Sequence, residues 1–208
     1  MNILSETLEM ISIKRLGVWL MVILIGFLLR GGLFRQACSY SLGKRFMVIY
    51  NIEDPRLANY ILKHPEVYDR EVKDMAQIAL IAEKITADVL YFSKDSSVFN
   101  PNVLFLNGGA TNDAGFSAFY AAVCNYLIDY YSLKEYYYCT HVVGSCFFMS
   151  TNLTTFRTIR GGQPFPSEYH FNIIQNLKTN ESIAVDPSLY EMYRISPVSF
   201  MDRVKTKP

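Results

Sequence analysis

Apolar residues fall into three regimes along this chain: an uninterrupted run near the N-terminus, helical spacing through the middle, and aromatic and β-branched segments beyond residue 135. The run is Leu16 to Leu29, LGVWLMVILIGFLL, with Lys14 and Arg15 before it and Arg30 after it. It is shorter than the roughly 20 apolar residues of a spanning helix. Met10 to Ile13 and Gly31 to Phe34 extend it, because basic residues near its ends can snorkel to the headgroups. A cleaved signal wants small residues just before the cut, and RGGLFRQACSYS supplies no convincing pair. Bulky and charged residues before Cys38 likewise do not suit a lipoprotein site. The expectation is an uncleaved, single-pass membrane anchor over residues 1–34 and a polar linker over 35–45. Basic residues flank the run on both sides, so the charge rule leaves open on which side of the membrane the domain lies.

The domain is expected over residues 46–208. Phe46 to Tyr50 reads as a short strand or as the chain's approach to the domain. Asp54 followed by Pro55 reads as an N-cap with proline in the first turn, opening a helix to about Leu62. Pro65 is expected to open another, amphipathic through Val67, Val72, Met75, Ile78, Ala79, Ile81 and Ile85. A loop-rich stretch is predicted over Ser93 to Ala114, and a helix after it. Phe116, Phe119, Tyr120, Val123, Cys124, Leu127, Ile128 and Tyr131 make that helix apolar around much of its circumference, which places it in the middle of the domain. Strand-like segments follow at Tyr136 to Met149, Glu168 to Gln175 and Ser182 to Asp186. Helices followed by strands indicate an α+β domain, not a doubly wound parallel sheet.

Composition narrows the function classes. At 208 residues the chain suits one well-buried core plus an appendage. Lys and Arg total 20 against 19 Asp and Glu, which offers no cationic field for nucleic acid. Four scattered cysteines do not make a disulfide framework. Cys139 and His141 alternate on one strand and Cys146 follows, but structural zinc wants a second tightly spaced pair, so neither metal nor another cofactor is expected. Cys124, two helical turns beyond Ser117, reads as core, and His64 as a helix-end residue.

His170 and Asp186 carry the candidate chemistry. They lie on neighbouring strand-like segments joined by the polar stretch Leu177-Lys178-Thr179-Asn180. A hairpin closing symmetrically about Lys178 places His170 directly opposite Asp186, on one face of the sheet. A carboxylate there can fix the tautomer of the imidazole and orient it as a general base.

Together with Gly115-Phe116-Ser117 at a helix start, His170-Phe171 on a strand and Asp186-Pro187-Ser188 after the next strand resemble the transglutaminase-like superfamily over roughly Asn107 to Tyr190. The resemblance implies a papain-like fold, a central helix packed on an antiparallel sheet. It also implies acyl transfer or hydrolysis at an amide bond of a protein or peptide, with Ser117, His170 and Asp186 at the catalytic positions. Asn107 and Asn112 are candidate oxyanion donors, or else turn residues of the glycine-rich loop. The chain departs from the pattern twice: serine stands where the family has its nucleophilic cysteine, and the tryptophan often found before the Asp-Pro motif is missing. Natural loss of the nucleophile and an engineered replacement leave the same trace. A serine hydroxyl demands true general-base catalysis where a thiolate does not. The competing expectation is an inactive member of the family that binds or scaffolds at the membrane.

Overall fold

A computed structural model of the protein describes residues 38–45, 50–68, 71–72, 74–93, 95–96, 98–148, 151–152, 169–193 and 199–201. The expected anchor over 1–34 and the apolar run at 46–49 lie outside them. Among the described residues no helix is long and apolar enough to cross a membrane.

Asp54 caps the first helix, α1 (Pro55–Lys63), by accepting the Arg56 N–H at 2.8 Å, with Pro55 in the first turn. The next helix starts later than its apolar spacing predicts. Residues 64–68 form only turns, and α2 (Met75–Val89) opens where Asp74 accepts the Gln77 N–H. Val67 and Val72 are buried all the same, so their spacing reports burial without helix. After α2 comes β2 (Tyr91–Phe92), and the stretch expected as loop contains α3 (Pro101–Leu106) and β3 (Ala110–Thr111), with β2 and β3 paired in parallel. Between α3 and β3 the chain needs glycine: Gly109 has φ +77°, and a Cβ there would meet the Val89 carbonyl oxygen at 2.0 Å.

The central helix is α4 (Asp113–Tyr130), with Phe116, Phe119, Tyr120, Val123, Cys124 and Leu127 all buried. Gly115 sits in its first turn because a Cβ would collide with Thr111 Oγ1 of β3. The strands follow as β4 (Tyr137–Phe148), β5 (Thr151–Asn152), β6 (Tyr169–Asn176) and β7 (Ser182–Val185), then α5 (Pro187–Tyr193) and β8 (Ser199–Met201). Residues 38–45, expected in the linker, instead form an edge strand, β1 (Cys38–Arg45), antiparallel to β4. Its alternation of small and polar residues hides it in the sequence. The sheet runs β1-β4-β6-β7-β8, with β5 on β4, and every described pairing in it is antiparallel. The chain is therefore mixed α+β, with helices on an antiparallel sheet.

Each face of the sheet carries its own apolar cluster. Ile174, Ile183, Val185 and Cys139 join the core that α2 and α4 complete. On the reverse, Phe171, Ile173, Ala184, Val142 and Cys146 pack with Tyr40 of β1 and Tyr169. Successive residues of a strand alternate between these two environments.

Candidate functional site

The register between β6 and β7 decides the arrangement. Asn172 faces Val185, Ile173 faces Ala184 and Ile174 faces Ile183. Continuing that register puts Asp186 opposite Phe171, one residue away from the expected His170. Turn chemistry sets the difference. Asn176 pairs with Glu181, leaving four residues in the loop, so its centre falls between Lys178 and Thr179. Asn176 Oδ1 accepts the N–H groups of Lys178 and Thr179, and Asn180 adopts φ 60°, both ordinary devices of asparagine in turns. A one-residue shift moves side chains to the other face. His170 therefore lies on the helix side of the sheet and Asp186 on the reverse, and the expected His170–Asp186 opposition does not form.

Asp186 is fully buried on that reverse face. Tyr169 Oη donates to its Oδ2, Tyr40 Oη donates to the same oxygen at 3.4 Å, and Ser188 Oγ donates to Oδ1 at 2.8 Å. The Leu189 N–H also donates to Oδ1, so Asp186 caps α5 with Pro187 at the first helical position. Burial pushes its carboxyl up to about 6, against the opposing pull of Tyr169 and Ser188.

On the helix side His170 has a different partner. Its Nδ1 lies 2.8 Å from Nε2 of His141, which sits two residues along β4 from Val143, the residue that faces His170. Nδ1 of His141 lies 3.1 Å from the hydroxyl of Tyr50. Burial, and then the neighbouring His170, hold the His141 imidazole down to about 3. Asp113, in the first turn of α4, accepts the His170 N–H at 3.4 Å. Burial raises its carboxyl above the usual range, while His170 pulls the other way. Tyr50, His141 and His170 thus form a hydrogen-bonded chain from the strand interior to the segment before α1. Neither Tyr50 nor His141 stood out in the sequence as a partner for His170; the available signal was the alternation of His141 with Cys139.

Ser117, expected at the helix entry, is the fifth residue of α4 and lies beyond its first turn, because Asn112 and not Gly115 opens the helix. Its backbone carbonyl accepts Asn172 Nδ2 at 2.9 Å, which ties α4 to β6. Its hydroxyl is fully buried and makes no hydrogen bond among the described residues, and neither does Asn172 Oδ1. Ser117 and His170 share the helix side of the sheet without a hydrogen bond between the hydroxyl and the imidazole.

The oxyanion candidates have structural duties. Asn107 ends α3, its N–H donating to the Val103 carbonyl, and Asn112 accepts the Gly115 N–H at 3.2 Å as the cap of α4. Asn112→Ala should cost about 1 kcal/mol of stability, the usual worth of such a cap, measured as a shift in the denaturant midpoint with an unchanged slope. Cys124 and Cys139 meet in the core, where burial drives the Cys139 thiol well up, whereas Cys146 faces the reverse side of the sheet. His64 ends α1 and bonds Asp88 at 3.0 Å. Cavities of about 490 Å³, beside His64 and Arg56, and about 440 Å³, beside Tyr50 and Tyr126, are lined by residues other than Ser117, His170 and Asp186. The chain matches no protein-family model, no curated protein and no solved structure.

Proposed function

We propose that this chain is a transglutaminase-like, membrane-tethered module that binds a protein or peptide partner and does not run the Ser117–His170–Asp186 cycle. The carrying observation is the β6–β7 register, which separates His170 from Asp186 by the thickness of the sheet. Two further features agree with it. Ser117 sits in the second turn of α4 with a buried, unbonded hydroxyl, and Asp186 is committed to the Tyr169, Ser188 and α5 cap contacts. Support for the family reading is the chain order: helices, then a buried central helix, then the antiparallel strands carrying His170 and preceding Asp186-Pro187.

One observation favours a second reading. The His141–His170 bond holds an imidazole by one nitrogen, as the third member of a catalytic triad does, and Ser117 lies on the same side of the sheet. In that reading the domain keeps amide acyl transfer, with His141 in place of Asp186. Alkylation of Ser117→Cys separates the two: an ordinary, protected thiol supports the binding module, and an acidic thiol that depends on His170 supports catalysis. The tether is tested apart from the site. Deleting residues 1–34 should release the domain from membranes, and pelleting of the truncated chain after a salt wash contradicts a single anchor.

A further inference from the structure

The central helix and a central strand meet through a pair of cysteines. Cys124 of α4 is 0% exposed and Cys139 of β4 2%, and their thiols are in hydrogen-bonding contact inside the core that α2 and α4 complete. Beside them the backbone is clamped. Cys139 faces Ile174 of β6 on one side, and among the described residues β1 pairs with β4 only from Val142 onward, which leaves the other edge of β4 open at Cys139. Asn125, the residue after Cys124, closes that edge. The Cys139 N–H donates to Asn125 Oδ1 at 3.0 Å, and Asn125 Nδ2 donates to the Cys139 carbonyl at 2.9 Å. A disulfide needs two backbones held about 6 Å apart, the order of separation that one hydrogen-bonded asparagine side chain spans.

The pair stands apart from the other cysteines. Cys146 packs on the reverse face of the sheet, and Cys38 pairs with Phe148 at the far end of β4. Among the described residues no group of three His, Cys, Asp or Glu side chains could hold a metal ion, so the two thiols lack the further ligands of a structural zinc site. Two apposed thiols can instead couple. The thiolate of either cysteine attacks a sulfur of oxidised glutathione, releases one glutathione thiolate and leaves a mixed disulfide. The second cysteine attacks the protein sulfur of that mixed disulfide and releases the other glutathione. Two protons and two electrons have then passed from the cysteines to glutathione, and one Sγ–Sγ bond has formed. Burial pushes the Cys139 thiol well up and disfavours its thiolate, so the exchange takes place before α4 closes on β4 or during a local opening of the two.

We infer that Cys124 and Cys139 are a disulfide site, closed when the domain folds in an oxidising compartment, and that the bond staples α4 to β4. It acts on the candidate site as well, because Asp113 and Ser117 ride on α4 and His141 lies two residues beyond Cys139 on β4. The staple holds those two walls in one arrangement, in a binding module and in an acyl transferase alike. Cytosolic glutathione keeps such a pair reduced, so the bond also reports the side of the membrane that the flanking charges leave open.

The test uses the full wild-type chain in neutral detergent micelles, reduced with dithiothreitol, freed of it, and held with oxidised glutathione in urea just below the unfolding midpoint, where transient opening exposes the thiols. Free thiols are then alkylated and the digest is read by mass spectrometry. The expected product is one pair of peptides joined through Cys124 and Cys139 and lighter by two hydrogens, retained in Cys146→Ala and lost in Cys139→Ala. For a loop of this length the folding equilibrium constant should rise about a hundredfold, seen as a higher urea midpoint that dithiothreitol reverses. Thiols that stay free, mixed disulfides with glutathione without the joined pair, a cross-link through Cys38 or Cys146 instead, or a joined pair that leaves the midpoint unchanged or lowered overturns the inference. The deciding product forms in the wild type, so the result does not depend on a variant that folds, and the labelling of Ser117→Cys tests the binding-module reading separately.

Discussion

Replacing Asp186 with Asn should flatten part of the pH dependence of stability, by roughly 3 kcal/mol between pH 4 and pH 8. The sign follows from burial. In the unfolded chain this carboxyl titrates near the ordinary value of 3.8, and in the folded protein at about 6. Folding therefore favours the protonated acid. Its contribution is fully present below about pH 4 and is lost as pH rises through about 6, because the folded state must then hold a buried carboxylate. Asn keeps one of the two oxygens that Tyr169 and Ser188 donate to, is close in size, and has no proton to lose. His141 works in the opposite direction: its folded value is depressed, so it costs stability as pH falls below the ordinary histidine range. Comparing wild type with Asp186→Asn by urea unfolding at pH 4.5 and pH 8 isolates the aspartate. An unchanged pH slope in the variant means that Asp186 is not buried among Tyr40, Tyr169 and Ser188.

The same contrast explains what could be read in the sequence. Asp54-Pro55 and Asp186-Pro187 are the same local pattern, an aspartate before a proline that can take the first helical position. The first was read as a cap and is one. The second also caps a helix, although its neighbours suggested catalysis. Element types and the buried status of α4 were legible because periodicity reports burial directly. Register was not, since it depends on whether the loop after Asn176 holds an odd or an even number of residues. That choice lay in the turn preferences of Asn176 and Asn180, and one residue of slip exchanges the faces of the whole strand. The partnership of His170 with His141 is a cross-strand contact set by the β4–β6 register, over a sequence separation that no local pattern bridges. Likewise β1 is held by its pairing with β4, which a polar octet does not advertise.

Ser117→Cys should label with iodoacetamide about a hundredfold more slowly than a cysteine on an exposed loop, because reagent reaches it only through a local opening of α4 against β6. No low-pH arm is expected. The helix dipole acts within the first turn, and position 117 lies beyond it, while burial and the nearby Asp113 carboxylate both disfavour a thiolate. Removing His170 should then leave the pH profile unchanged. The decisive measurement is therefore the pH dependence of alkylation for Ser117→Cys alone and combined with His170→Ala. A slow, ordinary thiol profile, the same in both proteins, is the expected result. Rapid labelling with a midpoint well below the ~8.5 of a free cysteine, abolished by His170→Ala, contradicts the binding-module reading and places a nucleophile–base pair at Ser117 and His170.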